Sequence, residues 1–91
     1  MFVVVSYDIV DDGRRIKVCN TLKNYGRRVQ YSVFECDLKR ADVERLQRKL
    51  RRLINTDEDS VRFYFLCESC VHRVQVMGQG EIPTRREYYV L

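Results

Sequence analysis

Val3-Val4-Val5-Ser6-Tyr7-Asp8-Ile9-Val10-Asp11-Asp12-Gly13-Arg14-Arg15 opens as a strand and closes as the start of a helix. The run of β-branched valines marks a strand covered on both faces, hence central in its sheet. Asp8 stands where the apolar pattern is still running, and an acid there is costly unless a partner, a metal or water compensates it. Asp11 or Asp12 is suited to cap a helix by accepting a hydrogen bond from its free N–H groups. The spacing predicts that helix from about Arg14 to Tyr25, with Ile16, Cys19, Leu22 and Tyr25 on one face and Val18 beside them. Gly26 is expected to end it in the left-handed conformation.

Arg27 to Leu38 reads as extended, but not as one regular strand. Val29, Tyr31 and Val33 share one phase, whereas Phe34, Cys36 and Leu38 share the other. Strict alternation forbids that switch, so a bulge, a bend or a very tight turn is expected between Tyr31 and Val33. A second helix follows from about Ala41 to Ile54, with Val43, Leu46, Leu50 and Leu53 as its core stripe. Asn55 to Ser60 is a polar loop. Val61 to Cys67 is dense in β-formers without alternation, which again implies cover on both faces. Arg73 to Met77 reads as a short fifth strand, broken by Gly78 and Gly80. Pro83 bars a continuing ladder, and Arg86 to Leu91 favours a last strand.

The order strand–helix–strand–strand–helix–strand is the ferredoxin-like α+β arrangement, an antiparallel sheet with two helices on one face. The expected architecture is βαββαβ over residues 1–78 with an extra C-terminal strand in a tail at 79–91. Helices on one face leave the other bare, although the first and fourth strands read as apolar on both sides. A second copy packed sheet to sheet resolves the conflict, so a homodimer is expected, its two-fold placing one stretch against its own copy.

Ninety-one residues make one domain, and 45% hydrophobic with 33% charged residues describe a soluble globular chain. A domain this small buries only about two-thirds of its unfolded surface and gains from a partner. No apolar run approaches a membrane span, and the start lacks the pattern of a signal peptide, so the cytoplasm is the expected location. The net charge of +4 permits a nucleic-acid partner. Between Lys39 and Arg52 seven residues are basic and two acidic. Arg45, Arg48 and Arg52 fall there, off the core stripe. Arg14, Arg15 and Lys17 sit on the first turns of the first helix, with Arg27 and Arg28 just past its end, and the guanidinium fork suits phosphate. The competing explanation is a solvated helix face.

Cys67 and Cys70 have C-x-x-C spacing, with Cys19 and Cys36 elsewhere. Zinc needs about four ligands, and no second pair is near in sequence. The redox motif of this spacing opens a helix after a strand. No helix pattern follows Cys70, so ordinary thiols at a strand end are expected. Carboxylates at a strand's end are a common way to hold Mg²⁺. Asp8 alone makes a poor site, and two Asp8 side chains facing across a dimer axis make a better one, with phosphodiester hydrolysis as its chemistry. The residues alone favour the simpler arrangement, in which Asp8 bonds backbone or arginine groups. His72 is the only histidine, and nothing near it supports a nucleophilic triad.

Tyr7-Asp8-Ile9, Asp11-Asp12, Arg14-Arg15, Gly26 and Arg28-Val29-Gln30-Tyr31-Ser32-Val33-Phe34-Glu35, at this spacing and chain length, resemble the CRISPR-associated "Cas-two" family. The resemblance implies a ferredoxin-like homodimer, often with the fifth strand of one protomer on the sheet of the other. It implies a subunit of spacer acquisition that bridges the CRISPR integrase "Cas-one" and holds a prespacer DNA duplex. It also implies a metal-dependent endonuclease acting on single-stranded RNA or double-stranded DNA. Asp8 matches the Mg²⁺ ligand, and Tyr7, Arg15, Arg28 and Phe34 match residues implicated near it. Lys17 stands where some relatives carry arginine. A toxin-like ribonuclease of similar fold, working without an integrase, is the alternative.

Overall fold

A computed structural model describes residues 1–82. The first strand, β1, is Phe2–Asp8, and α1 is Asp12–Lys23. Strands β2 (Arg27–Gln30) and β3 (Val33–Asp37) form a hairpin, α2 is Arg40–Leu53, β4 is Ser60–Leu66 and α3 is Glu68–His72. The sheet runs β2-β3-β1-β4 with every neighbour antiparallel. This is the expected ferredoxin-like topology.

One face of the sheet holds the core. Val3, Val5, Tyr7, Phe34 and Cys36 point from the strands into Val18 and Leu22 of α1 and Val43, Leu46 and Leu50 of α2. Each such apolar side chain removed from water contributes about 1.5–3 kcal/mol. Val4, Ser6 and Asp8 take the opposite phase. Register puts Val4 between Glu35 and Tyr64, Ser6 between Val33 and Arg62, and Asp8 beside Ser60. On that face Val4 and Val33 are half-buried, and Tyr64 is 46% exposed. Within one chain, then, β1 and β4 are not covered on both sides. Asp8 continues the outward phase and is exposed, so it does not interrupt the core.

The expected tight turn is present at Tyr31 and Ser32, with a register shift between Arg28 and Gln30. Asp11, not Asp12, caps α1, its Oδ2 accepting from Arg14 N at 2.8 Å. Ile16 is a correction. It is 61% exposed, whereas Val18 and Leu22 are buried and Cys19 and Tyr25 pack partly against the core, so the predicted face holds except at its first residue. A second correction concerns Gly26. It is not left-handed; the glycines with positive φ among the described residues are Gly78 and Gly80. Its hydrogen is needed because a β-carbon would collide with Glu35 O and Cys36 Sγ and lie 3.0 Å from Cys36 Cα. Gly26→Ala is therefore expected to cost about 3 kcal/mol in a urea titration, since the obstacle is backbone that cannot rotate away.

The C-terminal part departs most from expectation. Residues 74–77 form no strand, and Glu68–His72 forms α3 directly after β4. The C-x-x-C motif therefore does open a helix, with Cys67 at its N-cap and Cys70 inside it. Five residues are too few to show helical periodicity, which is why α3 left no trace in the pattern. Pro83 and the expected strand at Arg86 to Leu91 lie outside the described residues.

Candidate functional site

The end of β1 is anchored from below by an acid that the sequence places in a loop. Asp59 has a fully buried side chain. Its oxygens accept from Val10 N at 3.0 Å, Asn55 N at 2.9 Å, and Arg14 Nε and Nη2 at 2.8 and 3.2 Å. The Arg14 guanidinium, with the Asn55 and Val10 amides, holds its carboxyl well below the usual carboxylate range against the opposing effect of burial. Arg14 also reaches Glu58 at 3.1 Å. Nothing in the hydropathy pattern singles out Asp59, since two of its partners, Val10 and Arg14, lie far away in sequence.

Arg15 wraps the same corner. Its Nε and Nη2 donate to Ile9 O at 3.2 and 2.8 Å, Nη2 also to Val10 O at 3.2 Å, and Nη1 pairs with Asp12. These bonds fix the chain immediately after Asp8. Tyr7 points into the core, its ring 6.4 Å from that of Phe34, and its hydroxyl donates to Tyr31 O at 3.5 Å. Burial, with a hydrogen bond to the Cys19 thiol, pushes its phenol up to about 12, so it stays protonated at neutral pH. Phe34 is completely buried and packs; it does not face solvent. Arg28 donates to Tyr31 O from Nε (3.0 Å) and Nη2 (2.7 Å) and lies 5.0 Å over the Tyr31 ring. Tyr7, Arg15 and Arg28 thus border one cavity of about 310 Å³ shared with Lys23 and Tyr31. Asp8 stands on the other side of the strand, at the rim of the uncovered face.

The remaining basic residues spread over two surfaces. Arg27 pairs with Glu81 at 2.7 Å and approaches Glu35 at 3.6 Å. Burial raises the Glu35 carboxyl, with Arg27 pulling against it. Lys17 is exposed on α1. Arg45, Arg48 and Arg52 form an exposed ridge on α2, with Arg45 held by Asp42 at 2.9 Å. That ridge lies on the helical side, opposite the face that carries Asp8.

Mg²⁺ takes six oxygen ligands in near-octahedral geometry and keeps several waters. Asp8 supplies one suitable carboxylate. Among the described residues no three His, Cys, Asp or Glu side chains converge, so the donor set of a single chain does not by itself fit the ion. Nor is any described helix long and apolar enough to cross a membrane.

Residues 1–74 match the family model described as CRISPR associated protein Cas2. The chain belongs to the Cas2 family. It is 44% identical, over the full length of both chains, to a Chloroflexus aurantiacus protein named CRISPR-associated endoribonuclease Cas2 1. It is 47% identical to a Thermus thermophilus protein named CRISPR-associated endonuclease Cas2 2, covering 96% of this chain and 92% of that one. Among solved structures, a hypothetical protein from Thermus thermophilus superposes with a TM-score of 0.82 at 44% identity, covering 91% and 96% of the two chains. A chain of a structure described as a partial Cas6-RT-Cas1–Cas2 complex gives 0.74 at 34% identity, covering 84% and 89% of the two chains. The family expected from Tyr7-Asp8 and Gln30–Phe34 is therefore the right one.

Proposed function

We propose that this chain serves in CRISPR spacer acquisition as a homodimer that binds a DNA duplex and bridges a Cas1 integrase. The observation that carries the reading is the uncovered face of the sheet. Val4, Val33, Leu66 and Tyr64 lie outward there beside a partly buried Glu35, and a second copy is the occupant that the two-fold logic of small domains favours. Closing that face leaves both helical sides outward, so the α2 ridge of each protomer stays available to phosphate. The relative seated in a complex with Cas1 supports the integrase as partner, and supports this reading over a toxin-like ribonuclease. The tail at 79–91 is the segment we assign to the partner protomer or the integrase.

A nuclease function is the second reading, favoured by the names of the two relatives and by Asp8. A face-to-face dimer whose two-fold axis brings the Asp8 carboxylates together at the rim would fit Mg²⁺ where one chain does not. When bound, the ion supplies Lewis-acid stabilisation of a phosphoryl oxygen. The chain's own part is positional: Arg15 fixes the backbone after Asp8, Arg28 holds the Tyr31 turn, and protonated Tyr7 anchors the strand end. RNA or duplex DNA is the substrate class.

Duplex binding is tested by reversing Arg45, Arg48 and Arg52 together to glutamate. Losing three phosphate contacts per protomer is expected to weaken affinity at least about tenfold at low salt and flatten its salt dependence. Unchanged affinity removes this face from the account.

A further inference from the structure

The C-x-x-C motif is unused by anything above. Cys67 immediately follows β4, and Cys70 lies one turn later in α3. Val71 N donates to Cys67 O at 3.0 Å and Arg73 N to Cys70 O at 3.1 Å, so the turn is closed and its first and fourth residues share a side. Residues three apart on such a turn have β-carbons about 5–6 Å apart, a small closing movement from the ~3.8 Å of a disulfide. Both cysteines are exposed and unbridged, whereas Cys36 is buried and Cys19 half-buried. The Cys67 thiol sits 3.4 Å from Ser69 Oγ.

We infer that Cys67 and Cys70 form a redox-active dithiol that exchanges with low-molecular-weight disulfides of the glutathione class, Cys67 attacking and Cys70 resolving. In the first step Cys67 thiolate bonds to one sulfur of the small disulfide, whose S–S bond breaks, and one small thiolate leaves. Cys70 then gives up its proton and attacks Cys67 Sγ. The Cys67–Cys70 bond forms, the mixed disulfide breaks, and the second small thiolate leaves. Two electrons pass from the protein to the small disulfide, which departs as two thiols after taking up two protons. The division of roles follows the surroundings. The Ser69 hydroxyl and the Cys70 amide bring Cys67 down to about 7, while proximity to Cys67 moves Cys70 up. Burial pushes Cys36 up to about 11, so it is protected twice, by access and by protonation.

The test uses the full chain titrated with oxidised glutathione at pH 7, read by intact mass and peptide mapping. Wild type is expected to lose two hydrogens and to show a Cys67–Cys70 link with Cys36 untouched. Cys70→Ser is expected to stop at a glutathione adduct on Cys67. Cys67→Ser is expected to form neither product. In a parallel alkylation, Cys67 should react roughly three- to fivefold faster than in the urea-unfolded chain, the gain in thiolate outweighing its lower nucleophilicity. Oxidation elsewhere first, no adduct on Cys67 in Cys70→Ser, or equal alkylation rates folded and unfolded would each overturn the inference.

Discussion

Replacing Asp59 by alanine is expected to lower the melting temperature by more than about 10 °C, because a buried carboxylate is removed from a charged partner that stays behind. The substitution orphans Val10 N and Asn55 N and leaves Arg14 with Glu58 alone. It therefore loosens three places at once: the exit of β1, the first turn of α1 and the entry to β4. Asp59→Asn keeps the shape but not the charge and should fall between. Acid titration gives a second readout. The native carboxyl lies below its ordinary value of 3.8, so its contribution is fully present above that pH and is lost as pH falls further toward the native value. Wild type should lose stability steeply below about pH 4, and the Asn variant should follow a flatter curve. Scanning calorimetry across pH checks both, and a melting temperature unchanged in Asp59→Ala would remove the brace from the account.

Val4→Arg is expected to dissociate the proposed dimer with little damage to the protomer, weakening self-association at least about a hundredfold. Val4 is central on the uncovered face and has Glu35 directly across in β3. In a free protomer the new guanidinium has water on one side and that carboxylate on the other. In a face-to-face dimer it is buried twice, once from each chain, opposite an identical charge. Ile16→Arg is the control. Ile16 is exposed on the helical side, and the same added charge there should leave association unchanged. Sedimentation equilibrium separates the outcomes. A Val4→Arg protein that dimerises like wild type would mean that the sheet face is not the interface.

Strands β1 to β4, α2 and the Tyr31 turn were legible in the sequence because each rests on a local repeat: β-branched runs, a three–four spacing, a switch of phase. The expected strand at Arg73 to Met77 had only a short, weak run behind it and is absent. What escaped was non-local. Ile16, the first residue of the predicted α1 face, stays exposed because other elements decide how much of that face is covered. Gly26 is set by how closely Glu35 and Cys36 approach, and Asp59 by donors at residues 10, 14 and 55. Of the site, Asp8 and the basic ridge on α2 could be read from residue type and position. That Tyr7 and Phe34 are packed inside, while Asp8 sits on the reverse of the same strand, emerged only with the sheet's two faces assigned.

The central claim is that the chain acts by assembling two protomers and a duplex, with Asp8 serving a separable nuclease function. Spacer integration with a cognate Cas1 integrase and Mg²⁺-dependent nuclease cleavage, run side by side on wild type and Asp8→Ala, test it most directly. Integration at the wild-type level with cleavage abolished is the predicted result. Loss of integration from an Asp8→Ala protein that still folds and dimerises would contradict it.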